Sequence, residues 1–107
     1  MTKEEVLRIV RELHDQLDVI YGDRLKGVYL YGSYARGDAR EDSDIDVAVV
    51  LTGSVNRGQE IDRMGDIISD ICLDKDCFIN SFFLSEREFQ EKPFAVFRNI
   101  AAEGIPV

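Results

Sequence analysis

The chain has 107 residues, of which 45% are hydrophobic and 32% charged, and its formal net charge at pH 7 is −8. A chain of this size has room for one domain with a modest core, so we expect a single domain spanning residues 1–107. The acidic balance argues against a long nucleic acid as partner, because such binding relies on Lys and Arg to neutralise phosphates.

No stretch has the length of a membrane span and the charged first residues lead into a helix, so we expect a cytoplasmic protein that does not associate with membranes. Cys72 and Cys77 fit no zinc spacing, and we expect them to be reduced residues that serve packing.

The first predicted element is an amphipathic helix over residues 3–21. Thr2 precedes it with Glu5 three residues later, which is the pattern of a capping box, and Gly22 is expected to end it. Its apolar residues recur at intervals of three and four, the spacing of one buried helix face: Val6, Val10, Leu13, Leu17 and Ile20. His14 lies on this helix among charged residues, and we expect no functional role for it.

Two strands are predicted next, separated by a polar segment. The first is Lys26–Tyr31, which is rich in β-forming residues and stops at Gly32. Gly32 allows a ligand to approach the backbone closely, and Ser33 supplies a hydroxyl group and a side chain that can start a helix. Residues 34–36 can then form a short turn whose free N–H groups attract phosphate. The sequence therefore predicts a phosphate-binding turn directly after the first strand.

The second strand is the apolar run Val47–Leu51, and Asp44 and Asp46 stand at its start. Alternate side chains of a strand share a face, so we expect these two carboxylates to point the same way with Cα atoms about 7 Å apart. At an effective dielectric near 20 they repel by about 2 kcal/mol, which a hard cation would offset. Carboxylates and substrate phosphates are the ligands that Mg²⁺ prefers. The pair therefore predicts a magnesium site, with a solvated strand start as the alternative.

Two arginines in the connecting segment are candidates for further phosphate contacts. Arg36 lies at the end of the predicted turn and Arg40 lies four residues later. The alternative for both is a surface ion pair with Asp38 or Glu41.

The remaining sequence predicts three helices and a third strand. After a polar loop at residues 52–58, apolar residues at helical spacing predict a second long helix: Ile61, Met64, Ile67, Ile68, Ile71 and Cys72. Residues 77–84 are predicted as the third strand, and Ser85 with Glu88 predicts a capped short helix. Pro93 is predicted to start a last helix that ends at Gly104 and turns four residues inward: Phe94, Phe97, Ile100 and Ala101. These elements predict an α/β (α+β) fold, a small mixed β-sheet packed by helices.

The stretch Tyr31–Val50, YGSYARGDAREDSDIDVAVV, resembles the active-site signature G-S-x10-D-x-D of the polymerase-beta-like nucleotidyltransferase superfamily. It is most similar to the minimal nucleotidyltransferases, and weaker similarity extends through residues 84–89 and 99–105. The resemblance implies that Gly32 and Ser33 contact the triphosphate of ATP and that Asp44 and Asp46 bind Mg²⁺. It also implies a nucleotidyltransferase-like fold.

Catalytic members of this superfamily usually carry a third acidic residue on the third strand, which completes the metal site and helps to deprotonate the attacking hydroxyl. Aligning Ile79–Ser85 with that strand places Asn80 at this position. A neutral amide cannot accept a proton at pH 7 and offers only one carbonyl oxygen to a metal. Asp76 is expected on the same strand face, about 13 Å away and too far to substitute.

The leading functional hypothesis also comes from the resemblance. Small proteins of this kind are typically encoded beside an all-helical HEPN protein, and in such toxin–antitoxin pairs the nucleotidyltransferase is the antitoxin. It transfers AMP from ATP to a tyrosine of the HEPN ribonuclease. The resemblance therefore implies a hetero-oligomer with a HEPN-domain toxin, with Mg²⁺ as cofactor and ATP as substrate.

Two alternatives remain open from the sequence. In the first, Asn80 marks lost catalysis, and the chain is a binding module whose acidic surface neutralises a basic HEPN ribonuclease by occlusion. In the second, the chain is a subunit of a small-molecule nucleotidyltransferase of the aminoglycoside-modifying type. The sequence shows no separate domain to bind such an acceptor, which counts against the second alternative.

Overall fold

The structure is a computed structural model that describes residues 1–107. Five α-helices are present: α1 (Lys3–Tyr21), α2 (Ser33–Arg36), α3 (Arg57–Lys75), α4 (Glu86–Glu91) and α5 (Ala95–Glu103). A short 3₁₀-helix, Gly22–Arg24, follows α1. Four strands are present: β1 (Leu25–Tyr31), β2 (Ile45–Leu51), β3 (Ile79–Ser85) and β4 (Ile105–Pro106). None of the helices combines the length and apolar character needed to cross a bilayer.

Helix α1 has the bounds that the sequence predicts. The Thr2 side chain caps it by accepting a hydrogen bond from the Glu5 N–H at 3.1 Å, and Gly22 ends it with a φ of +53°. One stripe of the helix is buried: Val6, Ile9, Val10, Leu13, Leu17 and Tyr21. The predicted stripe lacked Ile9, which is buried, and was wrong at its last position, because Ile20 is 36% exposed and Tyr21 is buried in its place.

The four strands form one mixed sheet in the order β3-β2-β1-β4. β1 and β2 are antiparallel, β2 and β3 are parallel, and β4 pairs antiparallel with β1. The start of β2 lies in the middle of this sheet, where Asp46 pairs with Tyr31 on one side and with Asn80 on the other. The sheet therefore brings together residues that are more than thirty positions apart in the sequence.

Each face of the sheet packs against helices. The larger core joins α1 and α3 to one face, to which β2 contributes Ile45, Val47, Val49 and Leu51. The smaller core joins the other face to α5, and its fully buried members are Ala48, Val50, Leu84, Phe97 and Ile100. Because side chains alternate along a strand, Asp46 shares the second face with Ala48 and Val50. Asp46 is the first residue of β2 on this face and is partly buried.

Several predicted boundaries differ from the structure. Helix α3 begins at Arg57, inside the predicted loop, because the side chain of Asn56 accepts a hydrogen bond from the Gln59 N–H and so caps the helix. The prediction that Phe94 points inward was wrong, since Phe94 lies just before α5 and is 68% exposed. Strand β4, only two residues long, was not predicted.

The end of α3 corrects the prediction for Asp76. Asp76 does not lie on the third strand, because it is the left-handed residue, with a φ of +51°, that ends α3 before β3 begins at Ile79. Cys72 and Cys77 flank this turn with free thiols. Cys77 packs against the larger core, and burial raises the pKa of its thiol to about 11.

Candidate active site

The turn after β1 is shaped by a glycine. Gly32 is buried and has a φ of +75°, a conformation that residues with a side chain rarely adopt. A Cβ atom on Gly32 would collide with Oδ2 of Asp46. Glycine is therefore required here both for the backbone conformation and for the close approach of the turn to this carboxylate.

Helix α2 follows the turn directly and leaves donors unpaired. Its first backbone hydrogen bonds run from the Arg36 N–H to the Gly32 carbonyl and from the Gly37 N–H to the Ser33 carbonyl, at 3.0 and 2.9 Å. The N–H groups of residues 33–35 have no carbonyl partner, as is usual in the first turn of a helix. Together with the Ser33 hydroxyl, these groups can donate to the oxygens of an anion.

The two aspartates of the motif lie at the start of β2. Asp46 is the second residue of the strand and is partly buried, whereas Asp44 lies one residue before the strand and is exposed. Burial raises the pKa of Asp46, and the nearby negative charges of Asp44 and Glu103 raise it further. A hydrogen bond from Asn80 and the charge of Arg36 partly oppose this rise. The ionised carboxylate thus lies in a setting that a cation would stabilise.

Asn80 lies beside Asp46 in the sheet. The two residues are paired in the register of β2 and β3, and Nδ2 of Asn80 donates a hydrogen bond to Oδ1 of Asp46 at 3.3 Å. The side chain therefore points to the face that carries Asp46. This is the location that the sequence alignment assigns to the third acidic residue, and here it holds an amide.

Arg36 is held by acidic side chains of its own chain. Its Nη1 donates to both carboxylate oxygens of Glu103, at 3.1 and 3.3 Å, and its Nε donates to Asp38 at 3.3 Å. Hydrogen bonds with Asp38 and then with Glu103 raise the pKa of the exposed guanidinium. Arg40 makes no ion pair, and its backbone N–H donates to the Ser43 hydroxyl at 2.8 Å. The surface ion pair foreseen with Asp38 is thus present for Arg36.

Two residues at the site were missed by the sequence analysis. Glu103, at the end of α5, accepts a hydrogen bond from the Gly32 N–H at 3.1 Å in addition to those from Arg36. Tyr31 lies opposite Asp46 in the sheet, and burial, together with the charges of Asp46 and Glu103, raises the pKa of its hydroxyl to about 12. Glu103 lies 71 residues from Gly32, so no local pattern could have joined the two.

These residues fit a nucleotide and a divalent metal ion. A glycine turn leaves no room for a side chain against Asp46, unpaired N–H groups lie next to it, and Asp44 adds a second carboxylate. No group of three or more His, Cys, Asp and Glu side chains is arranged to hold a metal ion. A metal bound here would therefore rely on two aspartates and complete its coordination with water and phosphate oxygens, as Mg²⁺ commonly does.

Sequence comparison with known proteins gives matches over almost the whole chain. The family model of the nucleotidyltransferase domain matches residues 3–103. The putative protein adenylyltransferase MJ0604 of Methanocaldococcus jannaschii is 35% identical to the chain over 98 residues, which cover 91% of the chain and 92% of that protein.

Solved structures share the fold. The crystal structure of a putative nucleotidyltransferase from Sulfolobus solfataricus matches 97% of this chain and 80% of its own, with a TM-score of 0.72 and 21% identity. A toxin–antitoxin crystal structure with AMP-PNP matches 99% of this chain and 72% of its own, with a TM-score of 0.61 and 15% identity. At these identities the likeness shows the fold alone.

Proposed function

The chain belongs to the nucleotidyltransferase domain family, and from this premise we propose that it transfers AMP from ATP to a tyrosine of a partner protein in the cytoplasm. The observation that supports the proposal is the close approach of Gly32 to the carboxylate of Asp46, a candidate metal ligand. The unpaired N–H groups of residues 33–35 directly follow this glycine in the chain. The likeness to MJ0604, which is named as a protein adenylyltransferase, supports a protein as the acceptor.

Each residue of the motif has a role in this proposal. Asp44 and Asp46 would hold Mg²⁺, which when bound neutralises charge on the phosphates. The Ser33 hydroxyl and the N–H groups of residues 33–35 would donate to the triphosphate and steady the leaving pyrophosphate. The acceptor oxygen forms a bond to the α-phosphorus as the bond to pyrophosphate breaks. The acceptor proton passes to solvent, and the Asn80 amide takes no part in its removal because a neutral amide cannot accept a proton at pH 7.

The partner we propose is a HEPN-domain toxin, bound in a hetero-oligomer. Three observations support this choice: the resemblance of Tyr31–Val50 to minimal nucleotidyltransferases, the fold shared with a toxin–antitoxin structure, and the net charge of −8. An acidic chain attracts a basic RNA-cleaving protein at long range. Transfer of AMP to a tyrosine would then silence the toxin.

One observation favours a second candidate function. The third-acid position holds Asn80, whose amide donates to Asp46 and cannot act as a base. Under this alternative the chain still binds nucleotide and metal but neutralises the toxin by occlusion.

A single labelling experiment separates the two functions. The chain is incubated with ATP labelled at the α-phosphate, with Mg²⁺ and with the proposed HEPN partner, taken as the protein encoded beside the chain. The label on the partner is then measured. We expect a labelled tyrosine on the partner and its loss in the double variant Asp44→Ala, Asp46→Ala. Asp62→Ala, which removes an exposed carboxylate of α3, is the matched control and should leave labelling unchanged. A partner that is bound and silenced without label would support occlusion instead.

A further inference from the structure

A carboxylate from the far end of the chain holds the phosphate-binding turn. Glu103 is the last residue of α5, and its side chain is only 24% exposed. One of its oxygens accepts from the Gly32 N–H, and both accept from the guanidinium of Arg36. Hydrogen bonds to a charged group contribute more to stability than those between neutral groups. The contact therefore ties both ends of α2 to α5.

The backbone around Glu103 fixes where its side chain lies. Gly104 follows it, and a Cβ atom there would collide with the Ile100 carbonyl and come within 3.3 Å of Cβ of Tyr29. Next, β4 pairs with Tyr29 and Leu30, the residues of β1 that lead into the turn. Helix α5 is anchored by the fully buried Ile100. Glu103 is thus held by a helix on one side and by a strand pairing on the other.

This contact divides the donors of the turn into two sets. The Gly32 N–H and the Arg36 guanidinium are satisfied within the chain, by Glu103. The Ser33 hydroxyl and the N–H groups of residues 33–35 remain available to a ligand. Gly32 itself lies between two carboxylates, with Glu103 bonded to its N–H and Asp46 packed against its Cα.

We propose that Glu103 is a positioning residue for nucleotide binding, which holds the Gly32–Arg36 turn so that its free donors face the triphosphate beside Asp46. The inference rests on the proposed nucleotide transfer. It assigns Arg36 to the architecture of the site, as the ion-pair partner of Glu103 and Asp38. Loss of Glu103 would free the turn and weaken nucleotide binding while leaving the reacting groups in place.

The first test measures the turn without any nucleotide. The chain has eight glycines, so selective ¹⁵N-glycine labelling gives eight amide signals, one of them from Gly32. In the full chain with Glu103→Ala we expect the Gly32 signal to shift and its hydrogen exchange to become faster. Glu91→Ala, which removes an exposed ion pair with Arg87 on α4, is the matched control and should leave the signal unchanged. An unchanged Gly32 signal in Glu103→Ala would overturn the proposal.

The second test measures the affinity for MgATP by titration and the KM and kcat for AMP transfer. We expect Glu103→Ala to raise the Kd and KM for ATP roughly tenfold or more, the scale of one lost charge-assisted hydrogen bond, with a smaller change in kcat. Glu103→Gln keeps an oxygen that can accept from the Gly32 N–H, so it should recover part of the affinity. The double variant Glu103→Ala, Arg36→Ala should bind no more weakly than Glu103→Ala, because the two side chains act as one unit.

The outcomes separate this inference from the proposed function. Tighter MgATP binding in Glu103→Ala would overturn the inference, since it would mean that the carboxylate competes with phosphate for the turn. If the unaltered chain binds no MgATP, or Asp46→Ala binds it equally well, the proposed function fails. In that case the Gly32 amide signal still decides whether Glu103 holds the turn.

Discussion

At the scale of single residues, Gly32 is the position where the backbone and the site depend on each other most directly. We expect Gly32→Ala to lower the free energy of unfolding by about 1–3 kcal/mol, because it forces an alanine to a φ of +75°. It should also weaken MgATP binding, because the new Cβ displaces the carboxylate of Asp46. Urea denaturation and nucleotide titration measure the two effects.

Gly37→Ala is the matched control for this prediction. Gly37 has a φ of +85° but has nothing within 4 Å of an added Cβ. Its ψ of 14° places it in the left-handed helical region, which alanine tolerates better than the ψ of −154° at Gly32. Gly37→Ala should therefore lower stability by a smaller strain, without displacing Asp46. If both variants weaken nucleotide binding equally, the contact between Gly32 and Asp46 has no part in binding.

Asn80→Asp adds a carboxylate next to Asp46, at the location that the sequence resemblance assigns to a third acidic residue. Without metal we expect the variant to be less stable by about 2 kcal/mol, because two carboxylates now repel each other across β2 and β3. Added Mg²⁺ should reverse this loss, and metal affinity or AMP transfer should rise above that of the unaltered chain. Thermal denaturation with and without Mg²⁺ and the labelling assay measure these changes.

Asn80→Ala completes the comparison. This variant removes the hydrogen bond to Asp46 without adding charge. Added Mg²⁺ should therefore not raise its stability as it does for Asn80→Asp. If Asn80→Asp changes neither metal affinity nor transfer, Asn80 does not occupy the third-acid position.

The residues of the site differ in how far the sequence could predict them. Gly32, Ser33, Asp44 and Asp46 lie within one motif, so local turn and strand patterns were enough to select them as candidates, although Asp44 lies one residue before β2. Glu103 could not be predicted from spacing, because its contact with Gly32 depends on how α5 packs against β1. Sequence patterns report local geometry, whereas a contact between distant segments depends on the whole fold.

At the scale of elements, helix α4 shows how charge stabilises a local structure. The Ser85 hydroxyl accepts from the Glu88 N–H, and the Glu88 carboxylate accepts from the Ser85 N–H, both at 3.0 Å. Arg57 also donates to both oxygens of Glu88 at 3.0 Å. Burial acts to raise the pKa of Glu88, but the hydrogen bonds from Ser85 and Arg57 outweigh it and lower the pKa below the ordinary 4.5.

A pH dependence of stability follows from this lowered pKa. Because the folded chain holds the Glu88 proton less tightly than the unfolded chain, the carboxylate stabilises the fold above pH 4.5 and stops doing so as the pH falls through its lower folded value. We expect Glu88→Gln to lower the free energy of unfolding by about 1 kcal/mol at pH 7 and by much less at pH 3. Urea denaturation at both pH values measures this. Glu91→Gln, on the exposed side of α4, should show no such dependence, and an equal deficit at both pH values would contradict the prediction.

The elements themselves were largely predictable, and the exceptions have physical causes. Residues 3–21 combine a capping pattern, a helical apolar stripe and a terminal glycine, and α1 has those bounds. An inward Phe94 requires the last helix to start at Pro93, but α5 begins two residues later and Phe94 precedes it. Strand β4 is too short to show a period, and it exists because the chain after α5 runs along the edge of β1.

At the scale of the whole molecule, net charge determines which partners the chain attracts. With 21 acidic and 13 basic side chains, it repels a long polyanion, whereas a single nucleotide meets local N–H donors and, in the proposed function, a metal ion. The same charge attracts a basic protein over a distance that salt shortens, since the screening length falls from about 10 Å at 0.1 M to about 3 Å at 1 M. Partner choice and nucleotide binding should therefore respond differently to salt.

If the proposed HEPN partner is correct, we expect its association rate with the chain to fall about tenfold or more between 50 and 500 mM NaCl, while the dissociation rate changes much less. Stopped-flow fluorescence or surface plasmon resonance with the two purified proteins measures both rates. As a companion measurement, binding of a long single-stranded RNA to the chain alone is tested at 150 mM salt. We expect no binding. An association rate that does not vary with salt would show that the acidic charge plays no part in capture. Recognition would then depend on apolar contacts, for which the exposed Phe78 and Phe94 are the first residues to replace.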